Sequence, residues 1–517
     1  MSRSSRAAKG FATSLIQYAS QILLQALLAP VVLRVAGRET LGAYAAIVQV
    51  LAVLQLVDVA GSWSLERFLA QAMGRDPSGG RFRDVFTTAR MLFLLTNTVF
   101  ALLVVLLSLF IGRLFHLSPD VQWQARWALR VIAVWAIVRT PLAAYGNASC
   151  ALQDLAATNL IGALMGAARA VASLVFALAG GGLFGLMLAG TVAEAGGLIL
   201  YRMRFRKLNP TLMPGWGIPD RALLREMIGF GGHWMFFNLG SVLIARTGNI
   251  LAGVTNGAAV ASTFYTSQTP AMMGQDIIQK LSDNVAPGIN ELYGRGDFER
   301  VRATIARMTR ATFVLALPLA TGVLLFNHDL VVAWVGEAQY AGRLLTVSLA
   351  ILCAVYGAQR VAVISCFVVG WIKLLSTTAL VQGVVYIGLA FWLGRRLGLG
   401  GITLSLVLVM IPQNIILWRK LAREFGLKPI ALLSRCFLRS IVPLGCAAGA
   451  AWLVHGHVVI RRHHLQGFLA EAMTFIVIYC VLAYFLSLEG VDREDVNRHL
   501  NGGRFVSAWF RRVIKVA

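Results

Sequence analysis

Arginines stand where an apolar chain tolerates them least. Arg90, Arg126, Arg130, Arg139, Arg169, Arg246 and Arg360 all fall inside long hydrophobic stretches. At mid-bilayer a guanidinium costs from about 2.5 to more than 10 kcal/mol unless it is hydrated or paired, so each is a functional candidate by default. The chemistry it offers is recognition rather than bond-making, because the planar fork donates two hydrogen bonds to one phosphate or carboxylate. Arg139, Arg169 and Arg360 lie deepest, and Arg246 and Arg67 follow. Arg90, Arg126 and Arg130 stand near span ends, where a long cation reaches a headgroup by extending along the helix.

Acids are fewer at depth: Asp58, Glu194, Asp276 and Asp283. They read either as ion-coupling groups or as counter-ions to the arginines. Between 269 and 283, Thr269, Asp276, Gln279, Lys280 and Asp283 share one helical face. There Lys280 is spaced to neutralise the acids at i−4 and i+3. A second polar face comes early. Ser14, Gln17, Tyr18, Gln21 and Gln25 recur at three- and four-residue spacing within one apolar segment. Amides are expensive against lipid, so this stripe is expected to line a hydrated cavity, with Gln17, Gln21 and Gln25 as substrate contacts.

The elements that position these groups are membrane helices. Of 517 residues, 58% are hydrophobic and only 14% charged, and the mean hydropathy is +0.71. Soluble domains carry about 25% charge, so the sequence predicts an all-α polytopic membrane protein. About fourteen spans can be placed by length and apolarity, near 11–36, 41–68, 84–112, 122–148, 155–180, 182–202, 227–252, 258–286, 308–335, 343–368, 371–394, 400–419, 435–456 and 467–487. The opening segment resembles a secretion signal but is too long and too rich in glutamine, and reads as an uncleaved first span.

Alternate connections collect the basic residues, by roughly fourfold, which predicts both termini on the cytoplasmic side. The formal net charge of +24 is thereby explained without nucleic acid. Residues 203–226, with Pro210, Pro214, Gly215, Gly217 and Pro219, read as a linker. The domain expectation is a six-helix bundle over 1–202, this linker, a second six-helix bundle over 227–420, two further helices over 421–490 and a basic tail over 491–517. Gly10-Phe11 and Gly229-Phe230 open the two halves, each followed by an aromatic early in the next span, Tyr44 and Phe264-Tyr265. Six spans per half imply parallel repeats, a transporter arrangement.

Other signals are weaker. GGGLFG at 180–185 joins two apolar spans and follows no strand, so it is no dinucleotide loop. Asn147-Ala148-Ser149 is a glycosylation triplet on the wrong side. HGHVVIRRHH at 455–464 reads as a cationic loop rather than a metal site. The cysteines show no ligand spacing, no Walker sequence or nucleophile elbow is present, and neither cofactor nor metal is expected. External connections are too short for a catalytic domain, so the chain is expected not to be an enzyme.

Three stretches carry a family resemblance: LGAYAAIVQVLAVLQLVDVAGSWSLERFLAQ, PDRALLREMIGFGGHWMFFNLGSVLIARTGNILAGVTNGAAVASTFY and NVAPGINELYGRGDFERVRATIARMTRATFVLALPLATGVLLF. In order and spacing they resemble the Wzx-type flippases of lipid-linked oligosaccharides, in the multidrug/oligosaccharidyl-lipid/polysaccharide (MOP) exporter superfamily. The resemblance implies a MATE-like fold in a bacterial inner membrane. It also implies transfer of a polyprenyl-pyrophosphate-linked oligosaccharide to the outer leaflet, in company with polysaccharide polymerase and export machinery. One departure stands out. Many relatives carry an aspartate late in span 7, where this chain reads Ala245-Arg246-Thr247-Gly248-Asn249. A drug/cation antiporter of the same fold, a peptidoglycan-precursor flippase and a membrane-embedded glycan polymerase or ligase are the competing readings. The antiporter would want an acid-dominated cavity, and the polymerase a large external loop.

Overall fold

The computed structural model describes residues 27–76, 78–152, 154–213, 219–458, 464–490 and 493. The Gln17, Gln21 and Gln25 stripe lies outside the described residues, as do the side chains of Asp58 and Arg67. All regular structure among the described residues is helical. In chain order the helices are α1 (27–35), α2 (Gly37–Leu54), α3 (Leu56–Arg75), α4 (Gly80–Phe115), α5 (Pro119–Val138) and α6 (Thr140–Ala151). Next come α7 (Leu155–Leu178), α8 (Gly182–Leu208), α9 (Arg221–Asn256), α10 (Ala258–Gly294) and α11 (Phe298–Val335). The chain continues with α12 (Arg343–Val368), α13 (Ile372–Phe425), α14 (Pro429–Val458) and α15 (His464–Leu486).

Eight of the described helices are long and apolar enough to cross a membrane, and α5 with α6, bent by 64°, makes a ninth. This is a multi-pass membrane protein. The polar load explains why α10, read as span 8, does not pass on apolarity: it carries Gln275, Asp276, Gln279, Lys280 and Asp283. At 54 residues, α13 would run about 80 Å, far beyond a hydrocarbon core of about 30 Å. Gly398, at φ 65° and ψ −150°, breaks it, at the turn the sequence places between two spans. Only glycine holds that conformation without strain.

The chain groups into two compact units. The first comprises residues 1–266, 334–341 and 376–402. Within it α7 packs along α8, α4 along α5, and α3 against α4 and α9. Its best-packed core is aromatic, with Phe82, Phe86, Tyr145 and Phe205 buried at ring separations of 5.2–6.3 Å. Asp220 caps α9 through the amides of Ala222 and Leu223, filling donors that a helix start leaves open. Between α3 and α4, the Ser78 hydroxyl and the backbone amides of Arg81, Ser78 and Gly80 hold the Asp76 carboxyl below its ordinary range. Where α2 crosses the start of α10, a Cβ on Gly42 would sit 1.6 Å from the Ala258 carbonyl oxygen, so that crossing admits glycine alone.

The second unit comprises residues 267–333, 342–375 and 403–517, and its prolines explain its stitching. Proline has no N–H, so the carbonyl four residues earlier loses its helical donor. Pro318 in α11 frees Val314, whose oxygen accepts instead from the Tyr479 hydroxyl at 2.9 Å. Pro443 in α14 frees Arg439, whose oxygen accepts from the Ser487 hydroxyl at 3.2 Å. Residues on and just beyond α15 thus repair both helices. Around them Ala447, Ala451, Phe475, Tyr479 and Ala483 form a buried cluster.

A candidate cationic cavity

The first unit holds an open cavity of about 710 Å³. Its lining includes Arg139, Arg169, Arg246 and Glu194, together with Tyr44, Gln49, Gln55, Trp135 and Tyr265. Among the described lining residues three cations face one carboxylate. The sequence placed these charges on four different spans with no statement of contact, and the fold of this unit brings them to one chamber.

Each charge is held by its helix. Arg139 sits at the break between α5 and α6, where Pro141 follows. Its guanidinium pairs with Glu194 of α8 and donates to the Asn97 amide oxygen of α4 at 3.0 Å. The other Glu194 oxygen accepts from the Trp135 indole at 2.9 Å. Trp135 stands one turn before Arg139, so α5 presents both to the same carboxylate. With side chains only 11% and 29% exposed, the pair is a neutralised, part-buried knot. Glu194, which the sequence reads as a counter-ion or an ion-coupling group, here faces Arg139.

Arg169 differs. It projects from α7 into the cavity, and its guanidinium donates to the Tyr44 hydroxyl of α2 at 3.2 Å. Among the described residues it has no carboxylate within ion-pair distance. Arg246, from α9, donates to the Gln49 amide oxygen at 3.0 Å. Tyr44, Val48 and Leu51 of α2 and Gln55 at its C-terminal end recur along the lining at three- and four-residue steps, so one helix and its cap contribute a ring and an amide together. Sequence reading passed over Gln49, Gln55, Trp135 and Asn97; the α2 stripe was the available signal for the first two. Trp135 and Asn97 carry none beyond the i+4 step from Trp135 to Arg139.

The other candidates lie elsewhere. In the second unit, Arg360 of α12 pairs with Asp283 of α10, where the spacing had suggested Lys280 as the partner of Asp283. Beside them the Tyr356 hydroxyl donates to Gln279 at 3.2 Å, and Asp276 is exposed on the same helix. Arg90 donates to the Tyr145 hydroxyl at 3.3 Å, and Arg130 lies 5.0 Å from the Trp127 ring centre. Among the described residues no group of three His, Cys, Asp or Glu could hold a metal.

The sequence matches the polysaccharide biosynthesis protein family over residues 31–342, more than half of the chain. The chain belongs to that family. Comparison with curated proteins gives no match. Among solved structures, the lipid II flippase MurJ in an inward closed conformation matches with a TM-score of 0.70 at 13% identity, over 92% of this chain and 98% of that one. An inward-facing multidrug resistance transporter of the MATE family and MOP superfamily matches with a TM-score of 0.66 at 14% identity, over 81% and 98%. The Vibrio cholerae MATE transporter VcmN matches at 0.60 and 15% identity, over 81% and 98%. At these identities the likeness shows the fold alone, a MATE-like helical architecture. The solved structures of like fold are a flippase and transporters.

Proposed function

We propose that this protein is a flippase that moves a polyprenyl-pyrophosphate-linked oligosaccharide from the cytoplasmic to the outer leaflet of a bacterial inner membrane. The single observation that carries the reading is Arg169, a cavity-facing guanidinium whose described partner is a neutral phenol. Its fork is open to a phosphate, whereas the Arg139 fork is already taken by Glu194 and Asn97. Arg246 adds a second cation to the same lining. Tyr44, Trp135 and Tyr265 supply flat surfaces for sugar rings, and Gln49 and Gln55 supply amides for hydroxyls. A cavity of about 710 Å³ is in the range of about 300–1,000 Å³ that small-molecule sites occupy. It suits the headgroup, while the polyprenyl chain stays in lipid.

The mechanism is alternating access by two six-helix bundles, with both termini cytoplasmic. Arg169 makes the first phosphate contact and Arg246 the second. The driving force is left to the membrane potential, an ion gradient or consumption of the product. An antiporter for cationic drugs is disfavoured, because the one carboxylate among the described lining residues already faces Arg139. A peptidoglycan-precursor flippase shares the pyrophosphate chemistry, and the likeness to the lipid II flippase keeps it as the second reading.

The test is leaflet-resolved translocation in proteoliposomes holding only this protein. Lipid-pyrophosphate oligosaccharide, lipid II, a sugar-free lipid phosphate and a cationic dye are compared. Movement of the oligosaccharide lipid alone is expected. Movement of the dye under an ion gradient with both glycolipids static would overturn the reading, and movement of lipid II alone would select the second.

A further inference from the structure

The second unit holds a cavity of its own, of about 490 Å³. Its lining comes from the first half of α11, the turn between α13 and α14, the start of α14 and the end of α15. Five cations face it, Arg302, Arg310, Lys428, Arg435 and Arg439, against two carboxylates, Glu299 and Glu489. It shares no lining residue with the larger cavity.

The charges divide into a closed wall and an open one. Glu489, just beyond α15, is bridged by Arg310 at 3.3 Å and Arg439 at 2.8 Å. Arg302, Lys428 and Arg435 have no carboxylate partner among the described residues. All three are exposed residues on the lining of one pocket, so an anion can reach them from outside. The neighbourhood says which anion. Lys428 lies in a helix–helix turn and Glu489 after a helix end, the level at which a membrane helix meets headgroups. On α14, Ile430 is 86% exposed, Leu438 61% and Val442 57%, an apolar surface that acyl chains cover.

We propose that this pocket binds the phosphodiester headgroup of an acidic phospholipid. The phosphate lies between Arg302 and Arg435 with Lys428 at its rim, and the acyl chains run along the exposed face of α14. Basic pockets between membrane helices take anionic headgroups for this reason. The lipid then ties α11 to the α14–α15 pair from outside, as Tyr479 and Ser487 tie them from within. The site is independent of the transported substrate and stands whichever reading of the larger cavity holds.

The experiment uses full-length protein, stripped of lipid in detergent and examined by native mass spectrometry with four probes. These are phosphatidylglycerol, the zwitterionic phosphatidylethanolamine, glycerol phosphate and inorganic phosphate. Wild type is expected to retain phosphatidylglycerol under activation that strips phosphatidylethanolamine. The double variant Arg302→Gln/Arg435→Gln is expected to bind phosphatidylglycerol at least tenfold more weakly. Arg395→Gln/Arg396→Gln is the charge-matched control, since both side chains are exposed and stack on Phe391 and Trp392, and it is expected to bind as wild type does. Equal retention of the two lipids by wild type, or equal loss in test and control variants, would overturn the proposal. Saturation by glycerol phosphate or inorganic phosphate at the same concentration as the lipid would assign the pocket to a soluble phosphate instead. Should the double variant not yield a monodisperse protein, Lys428→Gln decides: a two- to threefold weakening is expected, and unchanged binding refutes the site.

Discussion

The two walls of the cavity in the first unit hold the same residue type to opposite ends. On the α5–α8 wall, Arg139 is enclosed by Glu194, Asn97 and, through the shared carboxylate, Trp135. On the α2–α7 wall, Arg169 meets only the Tyr44 hydroxyl among its described contacts. Sequence ranks these two arginines as equals, since both stand deep in apolar spans. What separates them is the carboxylate within reach. A charge whose field is already cancelled holds helices together, and one met by a neutral dipole remains available to a ligand.

The comparison is broken most forcefully at its paired wall. Glu194→Ala leaves the Arg139 charge uncompensated in a part-buried site, at a cost of about 3–5 kcal/mol. The expected result is a large loss of thermal stability in detergent. The double variant Arg139→Met/Glu194→Leu is expected to recover most of it, because an apolar pair removes both desolvation penalties. A double variant no more stable than Glu194→Ala would show that the pair is more than a structural knot.

At the open wall the effect moves from stability to transport. Arg169→Ala is expected to melt as wild type does and to lose at least tenfold in transport, since a hydrogen bond to a charged group is worth about 1.5–3 kcal/mol. Arg169→Lys restores charge without the fork and is expected to recover part of the rate. Normal transport by Arg169→Ala would place the phosphate elsewhere. The smallest effect is expected of Tyr44→Phe, which removes one neutral partner worth about 0.5–1.5 kcal/mol. It should raise the half-saturating substrate concentration about threefold, with an unchanged maximal rate. A fall in maximal rate alone would mean that Tyr44 acts after binding.

Much of this was legible in the chain, and the remainder has a physical reason. Apolar length announces α4, α7, α8 and α12 to within a few residues, because lipid imposes a length on every crossing helix. The lining arginines were visible for the same reason, as expensive exceptions. Their partners were not, because Arg139 and Glu194 are 55 residues apart and Arg246 and Gln49 are 197 apart. No helical spacing encodes such a pair; only the packing of α5 on α8 and of α2 on α9 does. The break in the fourth span left a trace, Thr140-Pro141, but an apolar run on both sides conceals a bend from any hydropathy sum. The repair of Pro318 and Pro443 by Tyr479 and Ser487 was equally hidden. The prolines are plain in the sequence, but the donors come from a helix more than forty residues away.

The bend between α5 and α6 has a mechanical consequence. α6 is an arm of 12 residues, about 18 Å long at 1.5 Å per residue. Turning that arm through about 10° carries its tip some ~3 Å, the length of a hydrogen bond, while atoms at the fulcrum scarcely shift. Arg139 is the fulcrum. A swing of α6 about this point would break contacts near Ala151 before it broke the Arg139–Glu194 pair.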